Sequence, residues 1–220
     1  MQQITKTLPA SAWQGIEIKE CGEPLVELVE TSRLRLGLVQ KGYKPRFLVR
    51  KGLAERLIRA IEYLPNHWGL VVVEGWRSME HQKHSWDTKW SIFKKEHPDW
   101  TDEEIDKSVR LIVARPNPLA NHHCGGAVDV VLIDVRTGKL VEMGTPYPYD
   151  QMPASITRLF PMHHSDVEPL ARENRRILRE AMQAIGCVYF PHEWWHYCWN
   201  DRMWAVYTNQ KECGYGPVEP

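Results

Sequence analysis

Two short segments hold the side chains best suited to chemistry. The first runs His122-His123-Cys124-Gly125-Gly126-Ala127-Val128-Asp129. It offers imidazole and carboxylate groups, the donors zinc takes in catalytic sites, where three protein ligands leave a fourth position open. A histidine in a loop before a strand and an aspartate at the strand's start can converge on one ion. Gly125 and Gly126 allow a tight turn between them. Asp129 is the only charged residue between Gly125 and Asp134, inside an otherwise apolar run. An uncompensated carboxylate there is costly, so it calls for a cation or several donors. The plainer alternative is a loop with two solvated histidines and an aspartate at a strand edge.

The second segment is His192-Glu193-Trp194-Trp195-His196. It matches H-E-x-x-H, in which two histidines one helical turn apart bind zinc and the glutamate activates water. Its surroundings argue against a helix. Pro191 precedes it, and Tyr197, Cys198 and Trp199 follow, residues that favour a strand. The extended form of the motif fails outright, because Trp199 stands where glycine is required and Arg202 where a third histidine is required. Glu193 and His196 belong to either reading. Their partners are His192 on the one hand, or His122 and Asp129 on the other.

These groups need a frame. Leu53, Leu57, Ile61 and Leu64 recur at helical spacing through Lys51–Leu64, and Pro65-Asn66 closes that helix. Leu70–Val73 reads as a buried strand that delivers Arg77 through Glu74-Gly75-Trp76 at its tip. A helix is expected from Glu80 to Lys95, stopped by His97-Pro98. Another follows the capping box Thr101-Asp102-Glu103-Glu104 and ends before Arg115-Pro116. Ala127–Ile133 reads as a strand, turned by Thr137-Gly138 into a second through Leu140-Val141. Met143–His164 has little periodicity and four prolines, a length that marks a lid or pocket wall. Ser165-Asp166-Val167-Glu168 is read as a second capping box opening a helix to Ala184-Ile185, stopped by Gly186. Cys187–Tyr207, aromatic and β-branched, is assigned to the last strands. The pattern predicts an α+β fold, one domain over residues 1–220, with a mostly antiparallel sheet flanked by helices.

Composition narrows the function. With 28 Lys and Arg against 28 Asp and Glu, the net charge of zero leaves no electrostatic footprint for nucleic acid or an anionic membrane. No apolar run approaches the roughly 20 residues a membrane span needs. Residues 1–20 hold no signal-peptide core. Five cysteines without a C-x-x-C pair disfavour structural zinc clusters and a disulfide framework, so a reduced cytoplasm is the expected setting.

Taken together, His122-x-x-Gly125-x-Ala127-x-Asp129 and Glu193-Trp194-Trp195-His196 resemble the D-alanyl-D-alanine dipeptidases of the vancomycin-resistance type. That group of zinc peptidases is related in fold to lysostaphin-type enzymes and hedgehog domains. Glu74-Gly75-Trp76-Arg77 is similar to the strand end that presents the family's transition-state arginine. Met143-Gly144-Thr145-Pro146, His163-His164 and Asn174-Arg175-Arg176 fall in family order. The resemblance spans Leu53 to Tyr197, with residues 1–50 matching less clearly. It implies one zinc per chain on His122, Asp129 and His196, with Glu193 as general base and Arg77 stabilising the oxyanion. The implied substrate is a small peptide, D-alanyl-D-alanine or a related D-amino-acid dipeptide.

Two positions depart from the family pattern. Ala120 stands where serine is usual, and Pro148 where an aspartate is expected, with Asp150 close by. Both are positions near the substrate's amino end, so they bear on the particular peptide and not on hydrolysis. The rivals within the group are a D,D-carboxypeptidase and an L-alanyl-D-glutamate endopeptidase. A zinc-containing binding domain without turnover is the rival of another class, and a base and an oxyanion donor at Glu193 and Arg77 argue against it. His123 and His192 are read as neighbours of ligands, and Trp194 and Trp195 as packing or pocket wall. Substrate-contacting residues and oligomeric state are left open.

Overall fold

A computed structural model of the chain describes residues 8, 10–13, 15–38, 42–147 and 152–220. In chain order its strands are β1 (Glu17–Ile18), β2 (Leu25–Glu27), β3 (Leu34–Leu36), β4 (Leu48–Arg50), β5 (Trp68–Glu74), β6 (Ala127–Asp134), β7 (Lys139–Leu140), β8 (Val188–Tyr189), β9 (His196–Cys198) and β10 (Glu212–Cys213). The helices are α1 (Lys51–Ala60), α2 (Met79–Glu96), α3 (Asp102–Val109), α4 (Pro169–Ala184) and α5 (Arg202–Tyr207). The central sheet has the order β3-β5-β6-β9-β8, with β7 added to the far end of β6. Its pairs are antiparallel except β3 with β5, so the sheet is mixed. The expected α+β class holds, with that one parallel pair added.

β5 and β6 are buried almost throughout, and each is an apolar run that carries one buried carboxylate, Glu74 and Asp129. Leu53 and Leu57 of α1 and Leu178, Ala181 and Met182 of α4 join these strands in the main core. Full burial of such a leucine contributes about 1.5–3 kcal/mol. A second apolar cluster joins Phe93 of α2 to Ile105 and Val109 of α3, with Trp86, Trp90 and Trp100 against it. The capping box at Thr101 and Glu104 forms as expected. All five cysteines are free thiols, and among the described residues no helix is long and apolar enough to cross a membrane.

Two sequence expectations are corrected. Ser165 caps no helix: α4 begins at Pro169, whose fixed φ and missing N–H suit the first helical position, and Ser165 lies in the turn before it. Cys187–Tyr207 is strand only in its first half. Asp201 accepts a hydrogen bond from the Trp204 amide at 2.8 Å, and that N-cap starts α5 in a stretch whose aromatic residues favour strand.

The long segment after β7 is tied down by α4. The buried Arg175 guanidinium donates to the carbonyls of Met143, Leu159 and Pro161 at 2.7, 3.0 and 2.8 Å. Asn174 Nδ2 donates to the carbonyl of Glu142 at 2.7 Å. Glu142, Met143, Leu159 and Pro161 are thereby anchored to α4. Pro148 and Asp150 lie outside the described residues.

Candidate active site

Sheet register does most of the positioning. Asp129 on β6 pairs with Glu74 on β5 at one side and with His196 on β9 at the other. An irregularity in β5 between Val72 and Glu74 brings Glu74 opposite Asp129, the re-aiming a β-bulge supplies beside many active sites. Beyond Glu74 the chain crosses β4 so closely that a Cβ on Gly75 would lie 2.4 Å from the Leu48 carbonyl oxygen. Glycine is required there, and its own carbonyl is put to use. It accepts from His122 Nδ1 at 2.8 Å.

His122 sits in a short 3-10 turn, Asn121–Cys124, which Gly125 ends at φ +69°. With Nδ1–H committed to the Gly75 carbonyl, Nε2 keeps its lone pair for a ligand and lies 3.3 Å from Asp129 Oδ1. His196 approaches the same oxygen, its Nδ1 3.0 Å away, while its Nε2 faces Cys198 Sγ at 3.2 Å. One nitrogen of each ring thus points inward and the other is held from behind, which is how protein metal sites fix histidine orientation. Suitable ligand atoms of His122, Asp129 and His196 all lie within 4.8 Å of one another, and all three residues are buried. Two imidazoles, one carboxylate and a cleft beyond them match the donor set and open position of catalytic zinc.

The electrostatics are those of a compensated buried charge. Burial pushes Asp129 up, but the His122 and His196 rings outweigh it and hold the carboxyl well below its ordinary range. Burial also lowers His196, opposed by its bond to Asp129, so its neutral, metal-binding form is favoured. The second oxygen, Asp129 Oδ2, accepts from the Tyr147 hydroxyl at 2.7 Å and lies 3.8 Å from the Arg77 guanidinium.

Glu193 and Arg77 face the same cleft. Glu193 lies in the tight turn between β8 and β9, where its amide donates to the Phe190 carbonyl at 3.1 Å, and its Oε2 is 3.8 Å from His196 Nδ1. The segment is no helix, so His192 and His196 do not share a face. His192 instead lines a surface depression with Phe93, Trp100 and Arg158. Arg77 is fixed by Glu74 and by Gln82 Oε1 at 2.9 Å, and Gln82 in turn donates to the Ala114 carbonyl at 2.6 Å. Burial alone would depress Arg77; the Glu74 carboxylate outweighs it and keeps the cation. Gln82, Ala120, Tyr147, Phe160 and Trp195 are among the other lining residues, so Ala120 and described parts of the segment after β7 do face the cleft. His123 lies behind it, with Nδ1 3.2 Å from the Arg77 carbonyl.

The structure thus brings together Arg77, His122, Asp129, Glu193 and His196, and it leaves His192 apart. Sequence reasoning missed Tyr147, and it named Glu74 only as part of a strand tip. A glutamate that ends an apolar run, three residues before an arginine, was the available signal for Glu74. Nothing in the order of residues announced Tyr147.

A peptidase fold with such a cleft has relatives, and the chain belongs to the D-ala-D-ala dipeptidase family, whose profile matches residues 35–213. Membership places it among metallopeptidases. It is 28% identical to a D-alanyl-D-alanine dipeptidase of Synechocystis sp. over 92% of both chains. A D-alanyl-D-alanine dipeptidase of Enterococcus faecium is 26% identical over 68% of this chain and 71% of its own length. Among solved structures, a vancomycin-resistance D,D-pentapeptidase VanY variant in complex with Zn(II) aligns over 91% of this chain and 96% of its own, at 17% identity and TM-score 0.46.

Proposed function

We propose that the chain hydrolyses D-alanyl-D-alanine or a related D-amino-acid dipeptide, with one zinc ion held by His122, Asp129 and His196. The observation that carries the reading is the convergence of those three ligands within 4.8 Å, beside Glu193 and Arg77. When bound, zinc supplies a Lewis acid that brings the ionisation of water into the neutral range. Glu193, within reach of the inward nitrogen of His196, accepts the water's proton and returns it to the leaving amine. Arg77, held cationic by Glu74, meets the negative charge that develops on the carbonyl oxygen. The dipeptide preference rests on the family and on the relatives named above. We read residues 1–220 as one catalytic domain, and the free thiols suit a reduced cytoplasm. The single-domain reading is supported by the pairing of β1 with β10 and of Glu20 with Arg50 of β4, whose amide donates to the Gly125 carbonyl at 2.9 Å.

The test is a panel of D,D-, L,D- and L,L-dipeptides and a wall pentapeptide, run on protein of measured zinc content with and without chelator. Zinc-dependent cleavage of D,D-dipeptides is expected. Glu193→Ala should keep the metal and lose about 10²–10⁴ in rate. Zinc-loaded protein that cleaves no peptide, or an active Glu193→Ala variant, overturns the reading.

A further inference from the structure

The proposed chemistry makes no use of Asp201, yet this carboxylate is fully buried and touches both histidine-bearing segments. Its Oδ2 accepts from Asn121 Nδ2 at 2.6 Å, and Asn121 immediately precedes His122 in the 3-10 turn. Burial and the nearby Asp201 carboxylate both push the Cys198 thiol up, so it stays protonated. Cys198, two residues beyond His196 on β9, also lies 3.2 Å from His196 Nε2 and 3.6 Å from Met203 Sδ. The protonated thiol has one hydrogen, which turns away from the ring toward Met203 Sδ or the Asp201 carboxylate and leaves sulfur lone pairs for the His196 Nε2–H. That arrangement leaves Nδ1, the nitrogen facing Asp129, with its lone pair toward the cleft.

We propose that Asp201 and Cys198 are positioning residues for the metal: Asp201 orients His196 through the Cys198 thiol and holds the His122 turn through Asn121. The proposal rests on the metal site described above and not on the identity of the peptide. One buried carboxylate then sets the spacing of two ligands that are remote in sequence. The arrangement is a carboxylate–histidine–metal relay with a thiol inserted between its first two members. Asp201 has a competing structural role, because its Oδ1 caps α5 through the Trp204 amide. The test must separate the two.

Asparagine caps helices about as well as aspartate, so Asp201→Asn keeps α5 while removing an acceptor-only group. Cys198→Ala removes the thiol, and Cys198→Ser restores a group that both accepts and donates. Zinc dissociation constants would be measured by chelator competition, the cobalt-substituted absorption spectrum recorded, and melting of the metal-free proteins followed. Cys198→Ala and Asp201→Asn should bind zinc about 10- to 100-fold more weakly, the range for lost outer partners of a ligand. Their cobalt spectra should shift while the metal-free melting temperature of Cys198→Ala stays close to the parent's. Cys198→Ser should recover most of the loss. Equal zinc affinity in the parent and Cys198→Ala overturns the proposal, as does equal weakening in the serine and alanine variants. If Asp201→Asn does not fold, the Cys198 pair decides. A parent that binds no zinc overturns this inference and the metal reading together. A parent that binds zinc yet cleaves no D,D-peptide overturns only the function.

Discussion

Asp129 and Asp134 lie on the same strand, one at each end of the buried stretch of β6, and both are held below their ordinary pKa. What holds them differs. Asp134, at the partly exposed end, accepts from the Arg136 amide at 2.9 Å and pairs with the Arg136 guanidinium at 2.7 Å, which brings it to about 2. Its partner is two residues away, and any chain with that turn would supply it. Asp129 is 3% exposed, and the groups that compensate it come from residues 77, 122, 147 and 196. No local turn can gather those. A buried carboxylate is tolerated only where the fold has already placed its partners, so Asp129 marks where this fold concentrates cost and Asp134 where it does not.

The largest effect should come from the expensive end. Asp129→Asn removes one of the three proposed ligands, and we expect zinc affinity to fall beyond the ~100-fold ceiling for outer partners, with hydrolysis lost. Metal analysis after dialysis reads this directly. Chelator should lower the melting temperature of the parent, since a ligand at about 1,000 times its dissociation constant stabilises by roughly 4 kcal/mol. It should leave Asp129→Asn unmoved. His192→Ala should keep its zinc. If His192→Ala loses the metal and Asp129→Asn keeps it, the two ends of β6 are alike and the H-E-x-x-H reading is restored.

Tyr147→Phe sharpens the comparison within the expensive end. The ring packs edge-on against Trp195 at 5.6 Å, and phenylalanine preserves that contact. The hydroxyl bond to Asp129 Oδ2 is lost. The bond directs one carboxylate oxygen away from the histidines and leaves the other toward them. Zinc affinity should drop about 10-fold, with the protein still folded and still metal-dependent. Unchanged affinity would mean that His122, His196 and Arg77 suffice to orient Asp129.

The contrast also explains what the sequence could disclose. Local devices were legible: the Thr101–Glu104 box, the apolar runs of β5 and β6, the helical spacing of α1, and the Thr137-Gly138 turn. Each is decided by neighbours in the chain. The grouping of His122, Asp129 and His196, the proposed ligands, was anticipated through motif resemblance, because His122 and His196 meet only once β6 and β9 are in register. Tyr147 stayed hidden for the same reason, since its partner sits on a strand that precedes it by a whole hairpin. Even a local signal can mislead. Serine at 165 had the right spacing for a cap, and Pro169 pre-empted it. Asp201 had the right chemistry for a cap, and the aromatic run around it concealed the helix.

Asp134→Asn should have the smallest effect and is the sharpest check on the inexpensive end. At pH 7 zinc content should match the parent's, and the urea midpoint should fall only slightly, because an asparagine side chain can still accept the Arg136 amide and the ion pair it loses is exposed. The acid limb should differ. A carboxyl whose folded pKa is depressed stabilises the fold above its unfolded value, here 3.8, and that contribution is lost as pH falls toward about 2. The metal-free parent should therefore lose stability from about pH 4.5 downward more steeply than metal-free Asp134→Asn. Urea midpoints between pH 5 and 3 measure the difference. Parallel curves would show that the Arg136 pair is screened to nothing, as exposed ion pairs often are. Loss of zinc in this variant would carry more weight, since it would make the far end of β6 part of the site and dissolve the contrast between the two aspartates.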